Sequence, residues 1–386
     1  MNIDADYLTL TLADLVRINS INPAFSGGAT NEREIADYVT AALERLGMTV
    51  SRHEPESGRA SVVGRLTGKR GGRALMLYAH LDTVGIEGMA DPFSGEVRDG
   101  RLYGRGAYDM KGGLAACLAA VRALRDGNVG LAGDLLVAAV ADEEVASIGM
   151  SEVLRHHRAD AAIVTEATEL AVCVAHKGFC WIEVETHGRA AHGSRYEEGI
   201  DANMRMGRFL AELDQLEQRL RSSPGHPLVG PPSLHAPVIR GGTGTSTYAA
   251  QCRLEIERRT IPGETEEQVL AEIRAIAGRL TAADPTFRAS VKPLLTRRPF
   301  ENSAEAPIVR ALADAATTVL GSRPPFVGEP YWMDAALLAD AGIDTAVIGP
   351  AGAGAHAALE WVELDSVAKL ALILARAAAA FCGRAR

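Results

Sequence analysis

The sequence predicts an α/β protein with a mixed, largely parallel sheet flanked by helices, and a smaller α/β sandwich inserted into it. Apolar runs alternate with helical patterns through residues 1–178, which is typical of a layered α/β fold. Residues 179–293 follow the order strand, helix, strand, strand, helix, strand, which indicates a ferredoxin-like topology. The first alternation resumes afterwards, so we expect one domain formed by 1–178 and 294–386 and a second formed by 179–293.

The individual elements follow from apolar periodicity and from turn residues. Helices are expected over 4–18, 31–46, 114–125, 151–156, 202–220, 264–280, 306–320, 334–341 and 364–381. Strands are expected over 48–53, 60–66, 74–79, 135–141, 161–165, 179–186, 238–240, 248–258, 286–294 and 345–348. Strands that alternate with helices in this way favour a parallel arrangement in the larger domain.

The composition excludes several classes of protein. The chain has 386 residues, 47% of them hydrophobic, and a net charge of −9, which argues against nucleic acid or an anionic membrane as the main partner. It contains no run of 18 apolar residues, and its acidic start, Met1–Asp6, has no apolar signal segment, so we expect no membrane span. The five cysteines form no Cys-x-x-Cys pair, which favours a reducing cytoplasm.

A histidine and an aspartate follow the strand predicted at 74–79. Because side chains alternate along an extended chain, His80 and Asp82 point to the same side and can reach one site together. An imidazole that binds a metal usually needs a partner that fixes its orientation, and Asp82 is within reach of that role. An isolated His-x-Asp is more often an ordinary polar strand end than a metal site, so the interpretation depends on whether other ligands converge there.

Other predicted strands also end in polar residues. These are Glu143 and Glu144, Glu166, and His356 after a Gly-rich loop, while Asp109 lies in a Gly-rich turn before a helix. In an open α/β sheet the carboxyl ends of the strands form the ligand crevice. Acids and imidazoles crowded there would be unfavourable without cations. Mixed ligands favour zinc, cobalt or manganese over calcium, and two metal ions account for the number of ligands more simply than one.

Seven motifs extend this pattern over nearly the whole chain. They are His80-Leu-Asp82-Thr-Val, Gly104-Arg-Gly-Ala-Tyr-Asp109-Met-Lys-Gly-Gly, Asp142-Glu-Glu144, Thr165-Glu166-Ala-Thr, Ala191-His192-Gly-Ser, Glu257-Arg-Arg259-Thr-Ile-Pro-Gly-Glu264 and Gly349-Pro-Ala-Gly-Ala-Gly-Ala-His356. In type and order they resemble the dizinc metallopeptidases and amidohydrolases, the family of acetylornithine deacetylase, succinyl-diaminopimelate desuccinylase, aminoacylase and glutamate carboxypeptidase.

The resemblance implies a two-metal site. His80 and Glu166 would bind one divalent ion, and Glu144 and His356 would bind the other. Asp109 would bridge the two ions. Zinc is the expected metal, with cobalt or manganese as alternatives.

The resemblance also implies roles for residues that bind no metal. Asp82 would orient His80, and Glu143 would be the general base that takes a proton from the metal-bridging water and passes it to the leaving amine. If extended, Glu143 and Glu144 point to opposite sides, which fits a division between base and ligand. Arg259 would hold a substrate carboxylate through its guanidinium fork.

The inserted domain would be a lid and dimerisation domain. His192 would then reach the active site of a partner subunit and stabilise the oxyanion, although a loop histidine without a role fits the same position. Many relatives have an Asn before a Val/Tyr-Pro step where this chain reads Gly244-Thr-Ser246-Thr-Tyr248-Ala249. One polar contact to the substrate is therefore in question.

The implied function is cytoplasmic, metal-dependent hydrolysis of the amide bond of an N-acyl amino acid by a homodimer. Acetylornithine deacetylase is the favoured activity, because Tyr331-Trp-Met-Asp334 replaces the Gly-Gly-Thr-Ser-Asp run typical of the desuccinylase. A metallo-carboxypeptidase or dipeptidase acting on a short peptide, or succinyl-diaminopimelate desuccinylase, is the alternative. A catalytically inactive metal-binding relative would be expected to lack the base, and Glu143 is present.

Overall fold

The computed structural model describes residues 1–69 and 71–384. The chain divides into two compact units. The first comprises Met1–Val174, Asn302–Val327 and the residues from Met333 onward, and the second comprises Ala175–Glu301 and Gly328–Trp332. The catalytic and lid roles expected of the two parts stay predictions.

Apart from a short helix at 23–26, where the sequence predicts a loop, the helices lie close to the segments predicted from apolar periodicity. They are α1 (Ala5–Arg17), α2 (Pro23–Ser26), α3 (Arg33–Arg45), α4 (Gly112–Asp126), α5 (Ile148–His156), α6 (Ala202–Ser222), α7 (Glu266–Ala283), α8 (Pro307–Leu320), α9 (Ala335–Asp340) and α10 (Leu364–Phe381). An irregular helical turn, Ala107–Lys111, leads into α4. Within the described ranges, none of the helices has both the length and the apolarity needed to cross a bilayer.

The strands include several that the sequence did not reveal. They are β1 (Thr49–His53), β2 (Ser61–Leu66), β3 (Leu75–His80), β4 (Glu96–Arg98), β5 (Arg101–Tyr103), β6 (Leu135–Val140), β7 (Ala161–Val164), β8 (Val172–His176), β9 (Gly178–His187), β10 (Ser233–Gly241), β11 (Gln251–Thr260), β12 (Arg288–Arg297), β13 (Phe300–Glu301), β14 (Phe326–Glu329), β15 (Asp344–Val347), β16 (Gly352–Ala353) and β17 (Trp361–Glu363).

The large sheet runs in the order β1-β2-β6-β3-β7-β15-β8 through the first unit. Its four central strands, β6, β3, β7 and β15, pair in parallel, whereas β1, β2 and β8 are antiparallel to their neighbours. Every residue of β3, β6 and β7 is buried, as expected for parallel strands covered by helices on both faces. The predicted mixed α/β fold is confirmed.

The parallel strands bring their carboxyl ends to one edge of the sheet. β3 ends at His80, and the chain leaves β6, β7 and β15 at the same edge. The loop after β15 passes so close to β7 that a Cβ on Gly349 would lie 1.8 Å from the main-chain oxygen of Glu166. Only glycine fits at this position, because any side chain would push the two loops apart.

The second unit contains a four-stranded antiparallel sheet in the order β10-β11-β9-β12, together with α6 and α7. Numbered within the unit, this order is 2-3-1-4, which is the predicted ferredoxin-like arrangement. Burial alternates along β11, so one face of the sheet packs against the helices, with Phe209 and Ile273 fully buried between the layers.

The missed strands were short or lacked alternation. β8 consists of five buried residues, and a short apolar run of this kind shows no period by which to recognise it. β4, β5, β16 and β17 have only two or three residues each and form a separate small sheet. Their pairing depends on residues distant in the sequence, such as Trp361 opposite Tyr103.

We expect Leu77→Ala to lower the free energy of unfolding by about 2–5 kcal/mol, because it leaves a cavity in a fully buried central strand. Urea denaturation of the purified protein measures the change. Leu10→Ala is the matched control, since Leu10 is 63% exposed and should change the stability by no more than about 0.5 kcal/mol. Equal losses for the two variants would contradict the assignment of β3 to the core.

Candidate metal centre

Two groups of potential metal ligands lie at the carboxyl edge of the parallel strands. One group is His80, Asp109 and Glu166, and the other is Asp109, Glu144 and His356; within each group the ligand atoms lie within 4.8 Å of one another. These are the five residues predicted as metal ligands. The fold brings them together from β3, the turn before α4, the segment after β6, the end of β7 and the loop after β15.

Asp109 belongs to both groups because its two carboxylate oxygens face different imidazoles. Its Oδ1 is 3.1 Å from Nε2 of His80, and its Oδ2 is 3.3 Å from Nε2 of His356. The peptide bond that follows Asp109 is cis. A carboxylate shared in this way is suited to bridge two cations.

The remaining distances complete the two groups. Nε2 of His80 is 3.6 Å from Oε1 of Glu166, and Nε2 of His356 is 3.2 Å from Oε2 of Glu144. The other oxygen of Glu144, Oε1, is buried and has no hydrogen-bond partner among the described residues. A buried carboxylate oxygen without a partner is costly, and a cation would offset that cost.

The orientation of His80 comes from the main chain of Asp82. Nδ1 of His80 donates a hydrogen bond of 2.9 Å to the carbonyl oxygen of Asp82, whereas the nearer carboxylate oxygen is 3.7 Å away. Since Nδ1 carries the proton in this bond, Nε2 can present its lone pair to a cation. The residue predicted to orient His80 therefore does contact it, but through its backbone.

The carboxylate of Asp82 instead holds the chain that follows β6. It accepts hydrogen bonds from the main-chain N–H groups of Glu143 at 3.1 Å and Glu144 at 3.2 Å. It also accepts one of 2.9 Å from the amide side chain of Asn22, which donates a second bond of 2.9 Å to Asp142. Asp82 thus connects the candidate ligand His80 with the two glutamates.

Burial and mutual repulsion raise the pKa values of the glutamates in this crevice. Burial is the main cause for Glu143 and Glu166, whose pKa values lie well above the ordinary range, and the charge of Glu166 adds to the shift of Glu143. The pKa of Glu144 is raised by burial and by the charge of Asp109. Each glutamate therefore holds a proton more strongly than it would in water.

The pKa values of Asp109 and of the two imidazoles shift in opposite directions, because the aspartate and the histidines pair with one another. Burial would raise the pKa of Asp109, but hydrogen bonds from His356 and His80 outweigh it and hold the pKa below its usual value. Hydrogen bonds to Asp109 and Glu144 raise the pKa of His356 to about 10. For His80, burial opposes the charged form, yet Asp109 and the neighbouring glutamates raise its pKa well above the ordinary value.

These shifts describe a site in which positive charge balances several carboxylates. Without a cation, protonated His80 and His356 provide that charge. A divalent ion can replace these protons, because a histidine ligand must be neutral to bind metal. The set of two imidazoles and three carboxylates fits zinc, cobalt or manganese.

The two other predicted site residues, His192 and Arg259, lie in the second unit. His192 is exposed in a loop, and its Nδ1 accepts a hydrogen bond of 3.3 Å from the main-chain N–H of Ser194. Arg259 is on β11 and pairs with Glu257 at 3.1 Å, with its side chain 31% exposed. Its neighbour Arg258 points the other way, as expected, and is fully buried against Glu264.

Among the described residues that contact the predicted site, three polar side chains were missed by sequence reasoning. They are Asn22, which bonds to Asp82, and the pair Arg105 and Glu360, whose carboxylate accepts a hydrogen bond from the main-chain N–H of Asp109. Arg105 stood inside a recognised motif, but as a surface-type residue in a Gly-rich turn. Nothing in the local sequence of Glu360 indicates that it is buried.

Two relatives by sequence cover nearly the whole chain. An acetylornithine deacetylase of Myxococcus xanthus is 33% identical over 361 residues, which cover 90% of this chain and 92% of that protein. An N-formyl-4-amino-5-aminomethyl-2-methylpyrimidine deformylase of Bacillus subtilis strain 168 is 29% identical over 389 residues, covering 92% of this chain and 91% of that protein.

Solved structures share the fold. A tripeptidase of Staphylococcus aureus superposes with a TM-score of 0.81 at 21% identity, over 99% of this chain and 100% of that one. A dinuclear metal-binding M20-family peptidase of Bacillus subtilis gives a TM-score of 0.74 at 16% identity, over 97% of both chains. The sequence model of peptidase family M20/M25/M40 matches residues 76–380, and the chain therefore belongs to this family of metallohydrolases.

Proposed function

We propose that the protein hydrolyses the amide bond of N-acyl amino acids, with an activity like that of acetylornithine deacetylase. The observation that carries the reaction type is the carboxylate of Asp109, whose two oxygens face His80 and His356 separately. The similarity to the Myxococcus xanthus deacetylase over 90% of the chain supports the acetyl group.

In this proposal two divalent ions occupy the centre. His80 and Glu166 would hold one ion, and Glu144 and His356 would hold the other. Asp109 would contribute to both sites. Zinc is the proposed metal, with cobalt or manganese as alternatives, because all three accept mixed imidazole and carboxylate ligands. When bound, the ions would polarise the acyl carbonyl and lower the pKa of the attacking water.

Glu143 moves the proton. A water molecule attacks the acyl carbon, the C–N bond breaks, and one proton of the water passes through Glu143 to the departing amine. The raised pKa of Glu143, caused by its burial and by Glu166, supports this role, since a base must hold the proton between the two transfers. Asp82 fixes the main chain of Glu143 through the hydrogen bond to its N–H.

His192 and Arg259 complete the proposed machinery in a homodimer. Nδ1 of His192 lies 3.3 Å from the main-chain N–H of Ser194 and 2.9 Å from the hydroxyl oxygen of the same residue. In the tautomer that carries its proton on Nε2, His192 would donate that proton to an oxyanion. We assign this donor to the active site of the partner subunit. Arg259 would bind the substrate carboxylate, for which it would exchange its ion pair with Glu257.

The second candidate is removal of a formyl group, favoured by the 29% identity to the Bacillus subtilis deformylase. Hydrolysis of short peptides is a third, since a carboxylate-binding Arg259 would serve both an N-acyl amino acid and a peptide. The three activities share the same attack on an amide carbonyl. They differ in the acyl group of the substrate.

A substrate panel tests the proposal. Protein loaded with zinc or cobalt should hydrolyse N-acetylornithine or another N-acetyl amino acid faster than N-formyl amides, N-succinyl-diaminopimelate and dipeptides, measured as release of free amine. Metal-stripped protein is the control. A preference for a formyl amide or a peptide would show that the acetyl group is not the preferred acyl group. Failure to cleave any of the substrates with metal bound would refute the proposal that the protein is an amide hydrolase.

We expect Glu143→Gln to reduce kcat by at least about 10²-fold, because the amide cannot accept the proton of the attacking water. Isothermal titration should still find two bound metal ions per chain, since Glu143 is not a proposed ligand. Glu152→Gln, an acid on α5 paired with Arg155 and His156, is the matched control and should keep full activity. If Glu143→Gln retained turnover, Glu143 would be excluded as the general base.

Mixing two inactive variants tests whether His192 acts across the dimer. His192→Ala and Glu143→Gln are each expected to be inactive, but a mixed dimer has one active site with both groups intact. Random exchange of subunits should then restore about a quarter of the wild-type activity. A mixture that stays inactive although subunits exchange, as measured with differently tagged chains, would mean that His192 does not serve the partner subunit.

A further inference from the structure

We propose that Glu360, held by Arg105, is the positioning residue that aims the two oxygens of Asp109 at the two metal sites. This inference rests on the proposed function, because it takes Asp109 as the bridging ligand. Glu360 and Arg105 both belong to the first unit, as do all the proposed metal ligands.

Glu360 binds the main chain of the turn that carries Asp109. Its Oε1 accepts hydrogen bonds from the N–H of Tyr108 at 2.9 Å and of Asp109 at 3.0 Å. Its Oε2 accepts from the N–H of Gly106 at 3.0 Å and from Nη1 of Arg105 at 2.6 Å. Four donors on one carboxylate fix the direction in which the turn presents the side chain of Asp109.

Arg105 connects this turn with the loop of the other imidazole. Its Nη2 donates to the carbonyl oxygen of Ala357 at 3.0 Å, and Ala357 directly follows His356. Its Nε donates to the carbonyl oxygen of Gly85 at 2.8 Å. One guanidinium therefore links the segment after β3, which follows directly on the proposed ligand His80, with the Asp109 turn and the His356 loop, which carry two more proposed ligands.

The cost of burying this pair points to a role beyond stability. Arg105 is 2% exposed and Glu360 is 1% exposed, and burial raises the pKa of Glu360. A buried ion pair is often no more stabilising than apolar residues of the same volume. What apolar residues cannot provide is a fixed orientation of three N–H groups and two carbonyl groups.

Asp109 needs such a fixed orientation more than an ordinary ligand does. Its two oxygens lie 3.1 Å and 3.3 Å from different imidazole nitrogens. Rotation of the carboxylate that improves one contact lengthens the other, so the direction of its Cα–Cβ bond has to be set by the backbone. The N–H of Asp109 is bound by Glu360, which sets the backbone at that residue.

Glu360→Gln is the decisive variant. Whichever way the amide is placed, its NH₂ group faces two N–H donors, those of Tyr108 and Asp109 or those of Gly106 and Arg105. We expect the affinity for zinc and for cobalt to fall by about 10–100-fold, as is usual when a residue that orients metal ligands is lost. Isothermal titration of the metal-stripped protein measures the affinity, and the visible absorption of bound cobalt reports the ligand geometry.

Asp134→Asn is the matched control. Asp134 also accepts a main-chain N–H, that of Gly68, and pairs with an arginine, Arg65, but it lies at the opposite end of β6 from Glu143. We expect it to bind zinc and cobalt with wild-type affinity and to give the wild-type cobalt spectrum. Equal losses of affinity in Asp134→Asn and Glu360→Gln would overturn the proposal in favour of general destabilisation.

Arg105→Lys provides a second test if Glu360→Gln does not fold. Lysine keeps the positive charge beside Glu360 but cannot reach Gly85 and Ala357 at the same time, so we expect a smaller loss of zinc affinity, about 10-fold. Either variant, folded and with wild-type affinity and cobalt spectrum, would overturn the proposal. Asp109→Asn distinguishes failure of the positioning role of Glu360 from failure of the proposed metal site. If Asp109→Asn also binds both metals normally, the proposed ligand roles fail.

Discussion

Repulsion among buried carboxylates is the constraint on which the centre of this protein depends. Glu143, Glu144 and Glu166 meet Asp109 in a crevice where burial strengthens every electrostatic interaction. Every residue of β3, β6 and β7, the strands that lead to the crevice, is buried, so water along these strands cannot screen the charges. Positive charge must enter, as protons on the imidazoles or as metal ions. The metal ions that would balance these carboxylates are the same ions that the proposed hydrolysis uses to activate water.

Much of this arrangement could be predicted from the sequence because it follows from local patterns. Apolar runs mark β3, β6 and β7, and a strand that ends in His80 or Glu166 places that residue at the edge of the sheet. Parallel strands collect such ends at one edge. For this reason the candidate ligands of the two groups could be predicted together from the sequence, although they are spread from residue 80 to residue 356.

The features of the site that could not be predicted are contacts between residues distant in the sequence. Asn22 reaches Asp82 across 60 positions, and Glu360 reaches Asp109 across 251. Neither has a neighbouring pattern that reveals its partner. The contact of Asp82 with His80 shows a second limit: residue spacing predicted the pair, but it could not decide between the carboxylate and the main-chain carbonyl, which both lie within a few ångströms of Nδ1.

The shared carboxylate of Asp109 has a thermodynamic consequence if it bridges two ions. An ion on the His80 side would order the carboxylate and lower the entropic cost of binding on the His356 side, so uptake would be cooperative. Linkage makes the effect reciprocal: each ion would raise the affinity for the other by the same factor. As the metal concentration falls, doubly loaded and empty molecules would then predominate over molecules that carry a single ion.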